Sequence, residues 1–333
     1  MSPDLSLFDY LDFEAAATRL EGVVERTPLV PVQLPPEFAD ERLCLRAKLE
    51  NRQVCGAFKA RGAWNNIAQL SPEERERGVV TCSSGNHGRA LAWAAERAGV
   101  RATIVMPRDA YPNKIEACRE LGAQVVLSRD RLGADEDAAE LAATGLVFIH
   151  PYDRAGTVAG AGTVGLELLQ DWPEVELVVV PVGGGGLVAG VSLCLKRSLG
   201  EAVRVVGVEP VGAPSMQQGL AAGEVVSLPE IQTGIQGLCP TNSGALNIEI
   251  CSQTLDDVWL VEDAPVLEAM DWWVGHGEVV EPAGAATLAA VREGMIPEEW
   301  LRDRTAENPL RAVIVVSGGN PAPEQLEQSR SRA

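Results

Sequence analysis

Positive charge is scarce in this 333-residue chain: 28 Lys and Arg stand against 47 Asp and Glu, a net charge of −19. That balance argues against a nucleic-acid partner and for a soluble, anionic protein, while saying nothing about fold. Histidine is rarer still, at three, and no two share a metal-ligand spacing, which argues against a His-based zinc site. The seven cysteines are odd in number and scattered, and none form C-x-x-C. They read as reduced, mostly buried thiols. No apolar run approaches membrane-helix length, and the acidic first twenty residues hold no signal-peptide core, so the cytoplasm is the default compartment. Low-complexity tracts and solenoid-period repeats are also missing.

What is present is glycine at one decisive place. Gly183, Gly184, Gly185 and Gly186 separate an apolar run, Leu177 to Val182, from a helix-like run, Leu187 to Leu199. The first run is short, β-branched and apolar on both faces, as a buried parallel strand is. Glycine permits a tight turn and lets a ligand approach the backbone. The free amides and dipole at the helix start then make a phosphate cradle. No Gly-Lys-Ser/Thr ending follows, which argues against a P-loop nucleotide site. Gly184-x-Gly186-x-x-Ala189, with Glu209 after the next strand, also fits a dinucleotide fingerprint, a weak signal alone.

Three further segments arbitrate. Lys59 follows Phe58 among small residues, in Gly56-Ala57-Phe58-Lys59-Ala60-Arg61-Gly62-Ala63. That setting desolvates the amine and makes it a usable nucleophile and base. Ser83-Ser84-Gly85-Asn86-His87-Gly88 lies between a short strand, 78–82, and a helix closed by Gly99, and suits a carboxylate. Ser317-Gly318-Gly319-Asn320 ends a buried strand, 313–316. Ligands of open α/β sheets bind beyond the carboxyl ends of strands, so these ends and Lys59 suggest one crevice.

Together the segments resemble the fold type II pyridoxal-phosphate enzymes, in their threonine/serine dehydratase and serine racemase branch. The resemblance covers most of the chain, and the order and spacing of its motifs demote the dinucleotide reading. Thr27-Pro28-Leu29 is similar to the family's early substrate-domain signature, and Ala57 to Ala63 to its Schiff-base lysine motif. Ser83 to Gly88 resembles its substrate and cofactor loop. Phe148-Ile149-His150-Pro151-Tyr152-Asp153 and Ala159 to Thr163 resemble its domain-crossing stretch. The implied fold is α/β, with two open, mostly parallel twisted-sheet domains (tryptophan synthase β-like) and the active site in the cleft between them. Residues 1–70 and 151–333 would form the large cofactor-binding domain, and 71–150 a small mobile one.

The resemblance implies that Lys59 holds pyridoxal 5'-phosphate and, once freed, takes the Cα proton. It places Gly183 to Gly186 and Leu187 on the phosphate, Phe58 against the ring, Asn86 on the ring hydroxyl and Ser317 at the pyridine nitrogen. Glu281 resembles a position near the ring. Ser83, Ser84, Gly85, Asn86 and His87 would bind the substrate carboxylate, and Ser84 is the candidate acid on the second face. A neutral Ser317 cannot keep the nitrogen protonated, which favours fast β-elimination. The expected reaction is dehydration and deamination of L-threonine- or L-serine-type substrates to a 2-oxo acid and ammonia. A serine racemase or a 3-hydroxyaspartate dehydratase is the alternative.

Two departures stand out. Cys55 and Ala57 replace the family's usual Thr and Ser. In the racemase branch a divalent cation such as Mg2+ lies near the segment 209–215. Glu209 and the carbonyl of Ala213 are available for it, but Ser215 stands where a carboxylate is expected. A homodimer or homotetramer is expected. Nothing after Asn320 resembles a regulatory domain, and the polar tail from Pro321 is expected to fray. An opening helix is expected over 8–24.

Overall fold

The computed structural model describes residues 5–332. Among the described residues, ten strands form two sheets. The strands are β1 (Leu29–Pro31), β2 (Leu43–Leu49), β3 (Val79–Cys82), β4 (Ala102–Pro107), β5 (Gln124–Ser128), β6 (Val147–Phe148), β7 (Leu177–Pro181), β8 (Arg204–Pro210), β9 (Asp257–Val261) and β10 (Leu310–Val316). The larger sheet runs β1-β2-β10-β7-β8-β9 and the smaller β5-β4-β3-β6. All pairings are parallel except the edge pair β1–β2. Strands that end in the key loops, β7 and β10, are almost wholly apolar and buried, as helix-covered parallel strands must be.

The early strand β2 pairs with the last, β10, from Leu43↔Leu310 to Leu49↔Val316. This register carries the N-terminal segment into the larger sheet. Each sheet reverses its strand order once. In the larger sheet the reversal lies between β7 and β10, in the smaller between β3 and β6. Such switch points open a crevice at the carboxyl ends of the strands. The glycine quartet follows β7, Ser317 follows β10, Ser83 follows β3 and His150 follows β6, so all four loops meet.

The helix Lys59–Ala68 couples the two sheets. Ala63 and Ile67 join the core of the smaller sheet, with Leu91, Ile104 and Met106. On its other side the helix meets Ala155–Asp171 at a glycine crossing, where a Cβ on Gly160 would lie 2.7 Å from Gly62 Cα. Arg61, 1% exposed, bonds Glu50 on one side and Glu167 on the other, at 2.8 and 2.6 Å. Lys48 Nζ joins Glu167 at 2.5 Å, and Thr27 Oγ1 donates to Glu50. A buried charge cluster thus fastens the helix that begins with Lys59 to β2.

Three expectations need correction. The opening helix spans only Phe13–Leu20, because Asp12 caps it through Ala15 N at 2.8 Å and the chain turns at Gly22, φ +70°. The tail does not fray. It forms the helix Pro323–Arg332, buries Ser329 and pairs Arg332 with Asp271. All seven cysteines are free thiols, but only Cys118, Cys194 and Cys251 are fully buried. Among the described residues, no helix is long and apolar enough to cross a membrane.

Candidate active site

The four loops and Lys59 line one cleft of about 520 Å³ between the two sheets. Lys59 opens its helix, and its Nζ donates to the carbonyl of Pro151 at 2.7 Å. The amine sits 4.9 Å from the centre of the Phe58 ring. Burial without a carboxylate partner pushes it down to about 8, so roughly a tenth of the amine is neutral at pH 7, far more than for an exposed lysine.

Below the cleft, Gly185 takes a left-handed conformation, φ +91°, and caps the helix Gly186–Leu199. No side chain caps that helix, so its first amides are left for a ligand. A Cβ on Gly184 would lie 2.2 Å from the Tyr152 ring, and one on Gly185 2.5 Å from Met216 Cε. Glycine here is therefore required by the protein packed behind the loop. Asn247 Nδ2 donates to the carbonyls of Gly184 and Tyr152 at 2.7 and 3.2 Å and holds the turn.

Opposite, Gly85 starts the helix Asn86–Ala98, again with no side-chain cap. A Cβ on Gly88 would strike the carbonyl of Ser83 at 2.4 Å, so the tight turn requires that glycine too. Asn86 Nδ2 donates to Glu281 Oε1 at 2.5 Å, and Asn86 Oδ1 accepts from Asn320 Nδ2 at 2.8 Å. Burial raises the Glu281 carboxyl. Ser84 lines the cleft, and its hydroxyl has no hydrogen-bond partner among the described residues. Ser317 is 5% exposed, with Oγ 3.5 Å from the carbonyl of Ala283. The peptide N–H of Phe58 donates to Ser317 O at 3.1 Å, tying β10 to the lysine loop.

The cleft thus gathers Phe58, Lys59, Ser83 to His87, Gly183 to Leu187, Glu281 and Ser317. The His87 side chain is tied into the protein, since the residue is 2% exposed and its Nε2 donates to Ile149 O at 3.1 Å. Desolvation drives it down to about 3, so it is neutral. Thr27 lies outside, in the buried charge cluster. Cleft residues that escaped the sequence reading as site residues include His150, Tyr152 and Asn320. The domain-crossing stretch held the first two, and the Ser317 motif the third.

A row of helix-start amides, a partly dehydrated amine and a neutral hydroxyl fit a phosphorylated pyridine aldehyde. The expected cation site does not fit. Glu209 Oε1 accepts from Met216 N at 2.7 Å and Oε2 from Gln217 N at 2.9 Å, so the carboxyl caps the helix Ser215–Ala222. Ser215 Oγ donates to it at 3.3 Å, where a second carboxylate would have been a ligand. Burial pushes Glu209 up to about 7, and Glu209 and Ala213 lie outside the cleft. Among the described residues, no three His, Cys, Asp or Glu gather in a group that could hold a metal ion.

Comparison with known proteins agrees with this geometry. The family model described as "Pyridoxal-phosphate dependent enzyme" matches residues 20–318. The L-threonine ammonia-lyase of Thermotoga maritima is 39% identical, over 93% of this chain and 75% of its own length. The serine racemase of Oryza sativa subsp. indica is 35% identical, over 94% and 91%. The structure of the processed form of threonine deaminase isoform 2 from Solanum lycopersicum superposes with a TM-score of 0.88 at 31% identity, covering 100% of this chain and 90% of that one. The dinucleotide reading falls with these matches, and the chain belongs to the fold type II pyridoxal-phosphate dependent enzymes.

Proposed function

We propose that the protein is a pyridoxal-phosphate-dependent lyase that dehydrates and deaminates L-threonine- or L-serine-type amino acids to a 2-oxo acid and ammonia. The observation that carries this reading is the neutral Ser317 at the end of β10, in the same cleft as Lys59 and the glycine turn. When bound, pyridoxal phosphate supplies the electron sink for charge formed at Cα. Lys59, Phe58, Asn86, Gly183 to Leu187, Glu281 and Ser317 would hold it. A hydroxyl at the ring nitrogen does not keep that nitrogen charged, so loss of a β leaving group outruns slower partitions.

Lys59 would act as general base at Cα, a role worth about 10²–10⁴-fold. Its lowered proton affinity supports it, because the amine must be neutral to accept a proton. Ser83, Ser84, Gly85 and the amides of Asn86 and His87 would hold the substrate carboxylate at the helix start. Residues 71–150 would move as a small domain and exclude water when substrate is present. A cytoplasmic homodimer or homotetramer belongs to the same reading.

A racemase is the second reading, favoured by the unpartnered Ser84 hydroxyl in the cleft and by the rice relative's name. The test is a screen of serine, threonine and 3-hydroxyaspartate for 2-oxo acid and ammonia, with chiral analysis of the remaining substrate. Rapid racemisation with negligible 2-oxo acid would promote the second reading over the first.

A further inference from the structure

His150 is a histidine with only one hydrogen-bonding state available to it. Its Nδ1 accepts from the peptide N–H groups of Tyr152 and Asp153, at 3.3 and 2.8 Å. Peptide nitrogens only donate, so Nδ1 carries no proton and the neutral ring must carry it on Nε2. Desolvation lowers the ring's proton affinity; the Asp153 and Asp135 carboxylates pull it up and the Lys59 amine pulls it down, and the net effect is a lowered affinity that keeps the ring neutral. The ring is held edge-on by Phe148 and Tyr152, with centroids at 5.8 and 4.5 Å. Its backbone is held as well, since Thr157 Oγ1 donates to His150 O at 3.1 Å. Nε2 makes no hydrogen bond to another described residue, and it is not among the buried atoms lacking a partner. The ring lines the cleft, and its next neighbour, Pro151, accepts from Lys59 Nζ at 2.7 Å.

A donor whose tautomer, ring plane and backbone are all fixed, left open beside the base, is a preorganised site for an oxygen. His87 cannot take that part, because its Nε2–H is already spent on Ile149 O. The geometry points to His150 Nε2–H as the donor that holds and selects the hydroxyl at the substrate's Cβ. This rests on the lyase reading above and names what in the cleft recognises the leaving group.

The step balances without any further reagent. The Lys59 amine takes the Cα proton, and the Cα–H electron pair becomes the Cα=Cβ bond. The Cβ–O pair departs with the oxygen, and the Lys59 ammonium returns its proton to that oxygen, which leaves as water. His150 keeps its own proton throughout, since losing it would create an imidazolate. Its part is to orient the oxygen and disperse the charge that grows there.

The test compares two leaving groups in the cofactor-loaded enzyme. Chloride departs from β-chloro-L-alanine without a proton, so it has little need of the donor. His150→Phe keeps an aromatic ring between Phe148 and Tyr152 but removes the donor. Turnover of L-serine or L-threonine should then fall about 10²-fold in kcat, while turnover of β-chloro-L-alanine falls far less. His150→Gln, which restores an N–H, should recover part of the hydroxyl-specific loss and also guards against misfolding of the Phe variant. Equal losses on both substrates in both variants would overturn the proposal and leave His150 a packing residue. A wild-type enzyme that releases a 2-oxo acid from none of L-serine, L-threonine and β-chloro-L-alanine would overturn the lyase reading itself, and this inference with it.

Discussion

Lys59 Nζ and the carbonyl of Pro151 stand 2.7 Å apart, although 92 positions separate them in the chain. That contact joins the helix after Phe58 to the chain crossing between the two sheets. It leaves the amine one carbonyl partner and no counter-charge, and burial lowers it from 10.5 to about 8.

The first prediction follows from this linkage. Folding lowers the Lys59 proton affinity, so between about pH 8 and 10.5 the native cofactor-free protein binds fewer protons than the unfolded chain. Its stability contribution from Lys59 therefore rises with pH across that window. Lys59→Met removes the term, so the melting-temperature gap between variant and wild type should narrow from pH 7.5 to 10. A gap independent of pH would mean that Lys59 is not desolvated. Covalent capture of added cofactor should accelerate over the same range.

Lys59→Ala should reduce turnover by at least about 10²-fold while leaving the fold intact. Cofactor should remain bound, but borohydride treatment should no longer fix it to the protein. Normal ammonia release by this variant would remove Lys59 from the reaction.

Gly184→Ala and Gly185→Ala test the proposal that the glycine turn holds the cofactor phosphate. Their new methyls would meet the Tyr152 ring and Met216 Cε, so the turn must move, at a cost of about 1–3 kcal/mol. Displaced amides should weaken cofactor retention more than tenfold after gel filtration. A full complement of cofactor in both variants would make the turn purely structural.

Arg61→Met should destabilise the protein by about 3–5 kcal/mol, because it strands the buried Glu50 carboxylate. Urea unfolding of the cofactor-free protein reads this directly. An unchanged midpoint would show that Lys48 and Thr27 alone satisfy the cluster.

Ser84→Ala and Ser317→Asp separate elimination from racemisation. Elimination needs no acid on the second face, so Ser84→Ala should abolish any racemisation and spare much of the 2-oxo acid release. An aspartate in place of Ser317 would hold a proton on the pyridine nitrogen and prolong the carbanion. Elimination should slow, with a new long-wavelength band under stopped flow. Loss of all activity in Ser84→Ala would place that hydroxyl in both reactions.

The strand-end motifs were legible because each is local. A buried strand, a glycine turn and a helix start lie within about ten residues, and their chemistry depends on little else. So Lys59, Asn86, the glycine quartet and Ser317 could be singled out as candidates from the chain alone, and the family resemblance placed Glu281 beside them.

What only the tertiary structure decided depends on partners far apart in sequence. Thr27, in a motif the resemblance singled out, belongs to the buried cluster with Glu50 and Lys48 and not to the cleft. Glu209 faces the amides of its own following helix, which no residue pattern announces before that helix is placed. Tyr152 reached the glycine turn, and His150 acquired a single tautomer, only when the strand order of each sheet set its switch point. Local propensity selects elements one at a time. The cleft exists because the β7/β10 and β3/β6 reversals face each other, and that is a property of how the sheets pack.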